Sequence, residues 1–248
     1  MSIDEFISGF GEQEEHEEKK IDVIRNPRVE EICRTFEYFL KEEHVKRENG
    51  IFGRESVFNQ MNSDSIVINS VKKLAPLKLT SQEIRKFSLC WIDYNLRKQG
   101  FYRTGLFLDC LIRLSEDSSF EIFTEHLKKE DQDMINSLGY KNHKNIIIRG
   151  DVGACLGLEI QEGCINVFGN TGDHTGQNMH GGIILIEGNT EYNLGCQMYN
   201  GSIIVKGNTG DDVGKDMIGG KIEVYGDIGS ISKGFKGGEI YHKGVRIR

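Results

Sequence analysis

Four residues in the second half of the chain, Asp173, His174, Asp211 and Asp212, are of the types that acid–base chemistry or a bound cation would use. If the protein works alone, as an enzyme or a ligand-sensing module with a groove, these four are the expected participants. Against that stands a plain role at surface turns, because nothing else converges on them. The six cysteines, Cys33, Cys90, Cys110, Cys155, Cys164 and Cys196, include no C-x-x-C pair, so neither a zinc nor an iron–sulfur site is legible. Six thiols without a paired spacing fit a reducing compartment. His44 and His126 stand among charged residues with no ligand or base partner at helical spacing, and each is expected on a solvated surface. The chain contains no G-x-S-x-G, no P-loop and no G-x-G-x-x-G. No catalytic, cofactor-binding or metal-ligating residue is therefore expected.

The elements that would have to position any site come next. The chain has 248 residues, 38% apolar and 28% charged, with a mean hydropathy of −0.42, the mix of a soluble globular protein with a sizeable core. No apolar run approaches the roughly 18 residues of a membrane span, and the opening residues are acidic, so a cytoplasmic location is expected. A net charge of −7 without a Lys/Arg cluster argues against nucleic acid and against an anionic membrane.

Glycine is unevenly spread, with 7 in residues 1–140 and 23 in residues 141–248, and that shift marks a domain boundary. Residues 1–20, dominated by Glu12, Glu14, Glu15, Glu17 and Glu18, are expected to form a mobile acidic tail. Residues 21–140 read as a helical domain. Asn26 and Pro27 form a helix start, followed by Val29, Ile32, Cys33, Phe36, Phe39 and Leu40 on one face. Thr80 to Glu83 form a capping box leading into Ile84, Phe87, Trp91 and Tyr94. Residues 101–114 are apolar enough for a buried helix, and residues 120–127 and 134–138 suggest shorter helical pieces. Cys33, Cys90 and Cys110 fall on apolar faces as core residues.

A repeat organises residues 141–248. Gly150, Gly169, Gly188, Gly207 and Gly226 recur every 19 residues, and Gly244 follows after 18. Gly157, Gly176, Gly195 and Gly214 trail the first four by seven residues, and Gly163, Gly182, Gly201 and Gly220 by 13. Each unit carries one alternating β pair, such as Ile165 and Val167 or Ile203 and Val205, with Ile146 and Ile148 before the first unit. An Asx column, Asp151, Asn170, Asn189, Asn208 and Asp227, would stack as a hydrogen-bonded ladder at a turn. A unit with four inward residues gains about 6 to 12 kcal/mol from burial, less than the roughly 19 kcal/mol or more that ordering 19 residues costs. The units must therefore stack, as a parallel β-helix of about five coils with glycines at the corners. Period six, period nine and a blade of about 40 residues, the signatures of hexapeptide, calcium-binding and propeller repeats, do not fit. On this winding His174 and His180 lie in different columns, as do Cys155, Cys164 and Cys196, while Asp173, Asp211 and Asp212 fall in two neighbouring columns.

The segments GNTGDHTGQNMHGGIILIEGN (residues 169–189) and GNTGDDVGKDMIGGKIEVYGD (residues 207–227) resemble the glycine-repeat (GXGXG) domain shared by the large subunit of glutamate synthase and the glycine-repeat subunit of formylmethanofuran dehydrogenase. The pattern G-x-x-G-x-x-x-G is met by Gly150, Gly153 and Gly157, by Gly169, Gly172 and Gly176, and by Gly207, Gly210 and Gly214. Glu191 and Lys233 break it in the third and last units. The Met-x-Gly-Gly runs at Met179 and Met217 are closer to the formylmethanofuran dehydrogenase form. The resemblance covers residues 145–248 and implies a right-handed β-helix with an architectural role. It further implies a non-catalytic scaffold or accessory subunit docking onto a larger redox or amidotransfer enzyme. Any molybdopterin, tungsten, iron–sulfur or flavin group would then sit in protein partners, with homo-oligomers the other form of assembly.

Overall fold

The computed structural model describes residues 26–48, 71–90, 104–127, 132 and 135–248, and of residues 41–48 the backbone alone. Among these residues three α-helices, α1 (Pro27–Glu48), α2 (Ser81–Leu89) and α3 (Thr104–Leu114), and a 3-10 turn at Ala75–Leu77 precede a solenoid of parallel strands. The strands are β1 (Ser119–Phe123), β2 (Asn145–Arg149), β3 (Cys164–Phe168), β4 (Ile183–Ile186), β5 (Ser202–Val205), β6 (Lys221–Val224), β7 (Glu239–His242) and β8 (Val245–Arg246). The expected tail over residues 1–20, together with Trp91, Tyr94, Met134 and the His44 side chain, lies outside the described residues.

The helix signals translate directly. The Asn26 side chain accepts from the Arg28 amide at 3.0 Å and starts α1. Thr80 and Glu83 close the capping box of α2 reciprocally, at 3.3 and 2.8 Å. Phe36, Phe39, Phe87 and Phe107 from all three helices meet with ring centroids 4.9 to 6.1 Å apart, each fully buried.

One sheet runs in the order β1 to β8. From β2 to β6 each strand pairs in parallel with the next at a shift of 19 residues, and β6 with β7 at 18 (Lys221 opposite Glu239), giving five coils. Two inward rows fill the interior. Ile146, Ile165, Ile184, Ile203, Ile222 and Ile240 form one, and Ile148, Val167, Ile186, Val205 and Val224 the other, all at 0% exposure. Leu156, Thr175, Leu194 and Val213 line the opposite wall beside Ile160, Met179, Met198 and Met217. The Asx ladder forms: each side-chain oxygen accepts the backbone N–H of its counterpart one coil on, at 2.7 to 2.8 Å from Asp151 to Asp227.

Residues 120–127 are not helical. Ser119–Phe123 is a strand in parallel register with β2, and Phe120 and Ile122 extend the two inward rows by one place. Residues 135–141 likewise stack on the first coil, through Ser137 N–H to Ala154 C=O (2.8 Å) and Lys141 N–H to Leu158 C=O (3.0 Å). This leading turn escapes the repeat because 26 residues, not 19, separate Ser119 from its register partner Asn145.

The helices close the solenoid's first end. Ser88 of α2 accepts the Phe123 N–H on the open edge of β1 at 3.0 Å, and Arg85 pairs with Glu121, which also holds Arg149 at 2.6 Å. α3 presses on the leading turn, where Gly105 leaves no room for a side chain against Asn136 and Leu138. Asp109 of α3 is buried and accepts the N–H groups of Gly139 and Tyr140, one on each oxygen, at 2.7 and 2.9 Å.

The repeat glycines serve two needs. Gly176 has φ +69, and a Cβ there would run into Ile203 of the next coil. Gly207 is not left-handed, but a Cβ would meet the Gly188 carbonyl one coil below. Gly244 does not open a sixth coil. With Lys243 it forms a two-residue hairpin, φ +51 and +80, that folds β8 back antiparallel on β7.

Candidate functional site

At one corner of the first four coils the chain passes through left-handed backbone at a non-glycine position, and Cys155, His174, Asn193 and Asp212 stack there with φ near 60°. The column is held by the Cys155 N–H on Asp173 C=O, His174 N–H on Tyr192 C=O and Asn193 N–H on Asp211 C=O, at 2.7, 2.9 and 3.0 Å. His174 is thus bracketed by Cys155 on one side and Asn193 on the other. Neither was among the expected candidates, although a glycine-anchored alignment of the coils places all three at the same offset.

The four expected candidates do not converge. Asp173 and Asp211 share one column and His174 and Asp212 the next, each pair two coils apart, about 9.6 Å at the usual strand spacing. Asp173 accepts the Tyr192 N–H on Oδ1 at 2.9 Å, and the Asp212 N–H donates to Ser230 Oγ at 3.2 Å. Both are turn contacts. Among the described residues, no three His, Cys, Asp or Glu side chains are grouped to hold a metal.

Electrostatics at this corner favour neutral groups. Burial lowers the His174 pKa, the Asp173 charge opposes that shift, and Lys215 adds to it. Its Nδ1 and the Asn193 Oδ1 are buried and unpaired. Burial pushes the Cys155 thiol up to about 11, reinforced by Asp173, and it raises the Cys196 thiol against the pull of Lys215. Such thiols stay protonated near neutral pH and make poor nucleophiles. What the corner offers is neutral hydrogen-bonding capacity from His174 and Asn193. His126, expected on the surface, is half-buried.

A second corner presents apolar surface. His180, Tyr199, Ile218 and Lys236 occupy one column, each N–H bonded to the carbonyl of the inward residue one coil below. The His180 and Tyr199 rings stack at 4.8 Å and 5°, while Tyr199 is 48% and Ile218 53% exposed. The residue that follows each member of the column is Gly181, Asn200, Gly219 or Gly237.

The fold defines a parallel β-solenoid closed at its first end by helices. Comparison with protein-family models, with curated proteins and with solved structures finds no match to this chain. No helix among the described residues is long and apolar enough to cross a membrane.

Proposed function

We propose that the protein is a non-catalytic scaffold, an accessory subunit that docks onto a larger redox or amidotransfer enzyme of the formylmethanofuran dehydrogenase or glutamate synthase type. The observation that supports this reading is the exposed ridge of Tyr199 and Ile218. Large apolar groups repeated one coil apart on a rigid backbone make a flat contact line that a partner can cover. Its spacing is fixed by coil stacking, so the partner meets a preorganised surface and little entropy is lost on docking. The glycine-repeat resemblance supplies the enzyme class. A right-handed winding, following the rule for parallel crossovers, and a cytoplasmic setting belong to the same proposal.

Gentle affinity capture from the protein's own cells, followed by native mass spectrometry, tests it. The expected result is a stoichiometric complex with flavin, iron–sulfur or molybdenum/tungsten subunits that is lost in the Tyr199→Glu, Ile218→Glu double variant. Recovery of the chain alone, at physiological salt and with the fold intact, overturns the scaffold reading.

A further inference from the structure

The two ends of the solenoid are finished differently. At the first end α2 occupies the edge of β1 and α3 covers the leading turn. At the other end, among the described residues, β8 closes the strand corner and the rest of the last coil is left without a covering element. Residues 226–238 complete the last coil, and after β7 the chain reverses at Lys243 and Gly244 instead of winding on into another turn of the same hand.

The row of single bridges Val152, Thr171, Thr190, Thr209 and Ile228 shows what is missing. Each of the first four donates its N–H to the backbone carbonyl of the Asx residue one coil on, at 2.9 to 3.0 Å. Among the described residues nothing accepts the Ile228 N–H and nothing donates to its carbonyl. The Asx ladder stops beside it: the Asp227 carboxylate, 85% exposed, stands where the next coil's N–H would arrive, and its contact is Lys243 at 3.3 Å. Apolar surface is left open at the same place. Val152, Thr171, Thr190 and Thr209 are 2 to 7% exposed, but Ile228 is half-buried, as are Ile231 and Phe235 of the same coil. Donor, acceptors and apolar side chains together form the edge of an unfinished β-row.

The charge around that edge selects its occupant. Lys233, Lys236, Lys243, Arg246 and Arg248 surround the last coil, against Asp227 and Glu239 from the same coil. Lys236 reaches back to Asp216, Lys243 to Asp227 and Arg246 to Glu239, while Lys233 and Arg248 have no carboxylate partner among the described residues. A second copy is a poor occupant: tail to tail it would set these cations against themselves, and a head-to-tail stack is blocked by α2 and α3.

We propose that the open last coil is a strand-addition site that takes an extended, acid-flanked segment of a partner protein, pairing with Ile228 and covering Ile231 and Phe235. The inference rests on the scaffold reading and names its second contact surface. Main-chain pairing at Ile228 supplies register, the apolar patch supplies contact area, and the basic rim sets the preference for acidic flanks.

A labelled 12-residue peptide with alternating Thr and Val at its centre and Asp/Glu flanks is the probe, read by fluorescence anisotropy against the full chain. Saturable binding is expected, about tenfold weaker for the same core with Lys/Arg flanks and about tenfold weaker for Ile228→Asp. The Lys233→Glu, Lys243→Glu double variant should prefer the basic peptide. On the unmodified protein, the peptide should slow amide hydrogen exchange at Ile228, a readout independent of how any variant folds. Absence of saturable binding, unchanged exchange at Ile228, or a concentration-dependent dimer abolished by Ile228→Asp would each overturn the proposal, the last by assigning this end to a second copy. A partner protein that co-purifies equally with wild type and Ile228→Asp removes this inference but leaves the scaffold reading standing. Peptide binding without any co-purifying partner does the reverse.

Discussion

Stability of this protein should fall as pH rises from 5 to 8, and the cause is Asp109. The carboxyl lies between α3 and the leading turn, 3% exposed, with the Gly139 and Tyr140 amides on its two oxygens. Burial raises its pKa from 3.8 to about 7, while Arg113 and the two backbone N–H groups work in the opposite direction. In the unfolded chain the group is ionised above about pH 4, whereas the folded protein keeps its proton until about pH 7. The folded state therefore binds more protons across that window, and the stability this confers is complete below pH 3.8 and lost as pH rises through about 7. Three pKa units correspond to about 4 kcal/mol at most, of which about 2.5 kcal/mol disappears between pH 5 and pH 8. Asp109→Asn removes the titration. It also replaces one acceptor oxygen by an NH₂ facing a backbone N–H, a fixed cost of about 1 to 3 kcal/mol at every pH. Urea unfolding followed by circular dichroism on both proteins at pH 5, 6, 7 and 8 isolates the group. The wild type should lose about 2.5 kcal/mol relative to the variant over that range. Parallel pH profiles, separated by a constant, would refute the reasoning.

Three further outcomes follow from the solenoid. Gly176→Val places a β-branched residue at φ +69 and drives its Cβ into Ile203, so the β signal in circular dichroism should collapse; a melting curve matching wild type would contradict the corner geometry. The Thr190 hydroxyl is buried without a partner, whereas Thr175 donates to Thr171 Oγ1 at 2.9 Å. Thr190→Val should therefore raise stability by about 1 kcal/mol and Thr171→Val lower it, and thermal melts showing the same sign for both would count against this assignment. Asn189 accepts the Asn208 N–H through its side chain at 2.7 Å. Asn189→Ala should cost about 1 kcal/mol, while Asn189→Asp, which keeps the acceptor, should cost less; equal losses in denaturant titrations would remove the ladder's energetic role.

What could be read from the residues alone depended on whether a constraint repeats. Ile165, Ile184, Ile203 and Ile222 recur at a fixed interval because each packs on the same residue one coil below, so the interior declares itself as a period. The leading turn obeys the same packing but occurs once, with an insertion and with Gly139 as its one corner glycine, so Phe120 and Ile122 looked helical instead of β. The outer columns obey no such constraint. The positions of Asp173 and Asp211 are occupied by Ala154 in one neighbouring coil and Tyr192 in another, because side chains facing outward need only avoid strain at the turn. The left-handed column is the informative exception. φ near 60° favours Asn, Asp and Gly and tolerates His, so the residues found there follow from the backbone in part, and Cys155 is the member that the backbone does not explain. A site read from residue types alone confuses the two origins: His174 and Asp212 drew attention as chemistry, yet they occupy a corner that the first four coils all fill with residues in that conformation. The same logic directs attention to Tyr199, Ile218 and Ile228. No turn geometry requires these exposed or half-exposed apolar side chains, and each leaves apolar surface uncovered among the described residues, which is why the two proposed contact surfaces are placed on them.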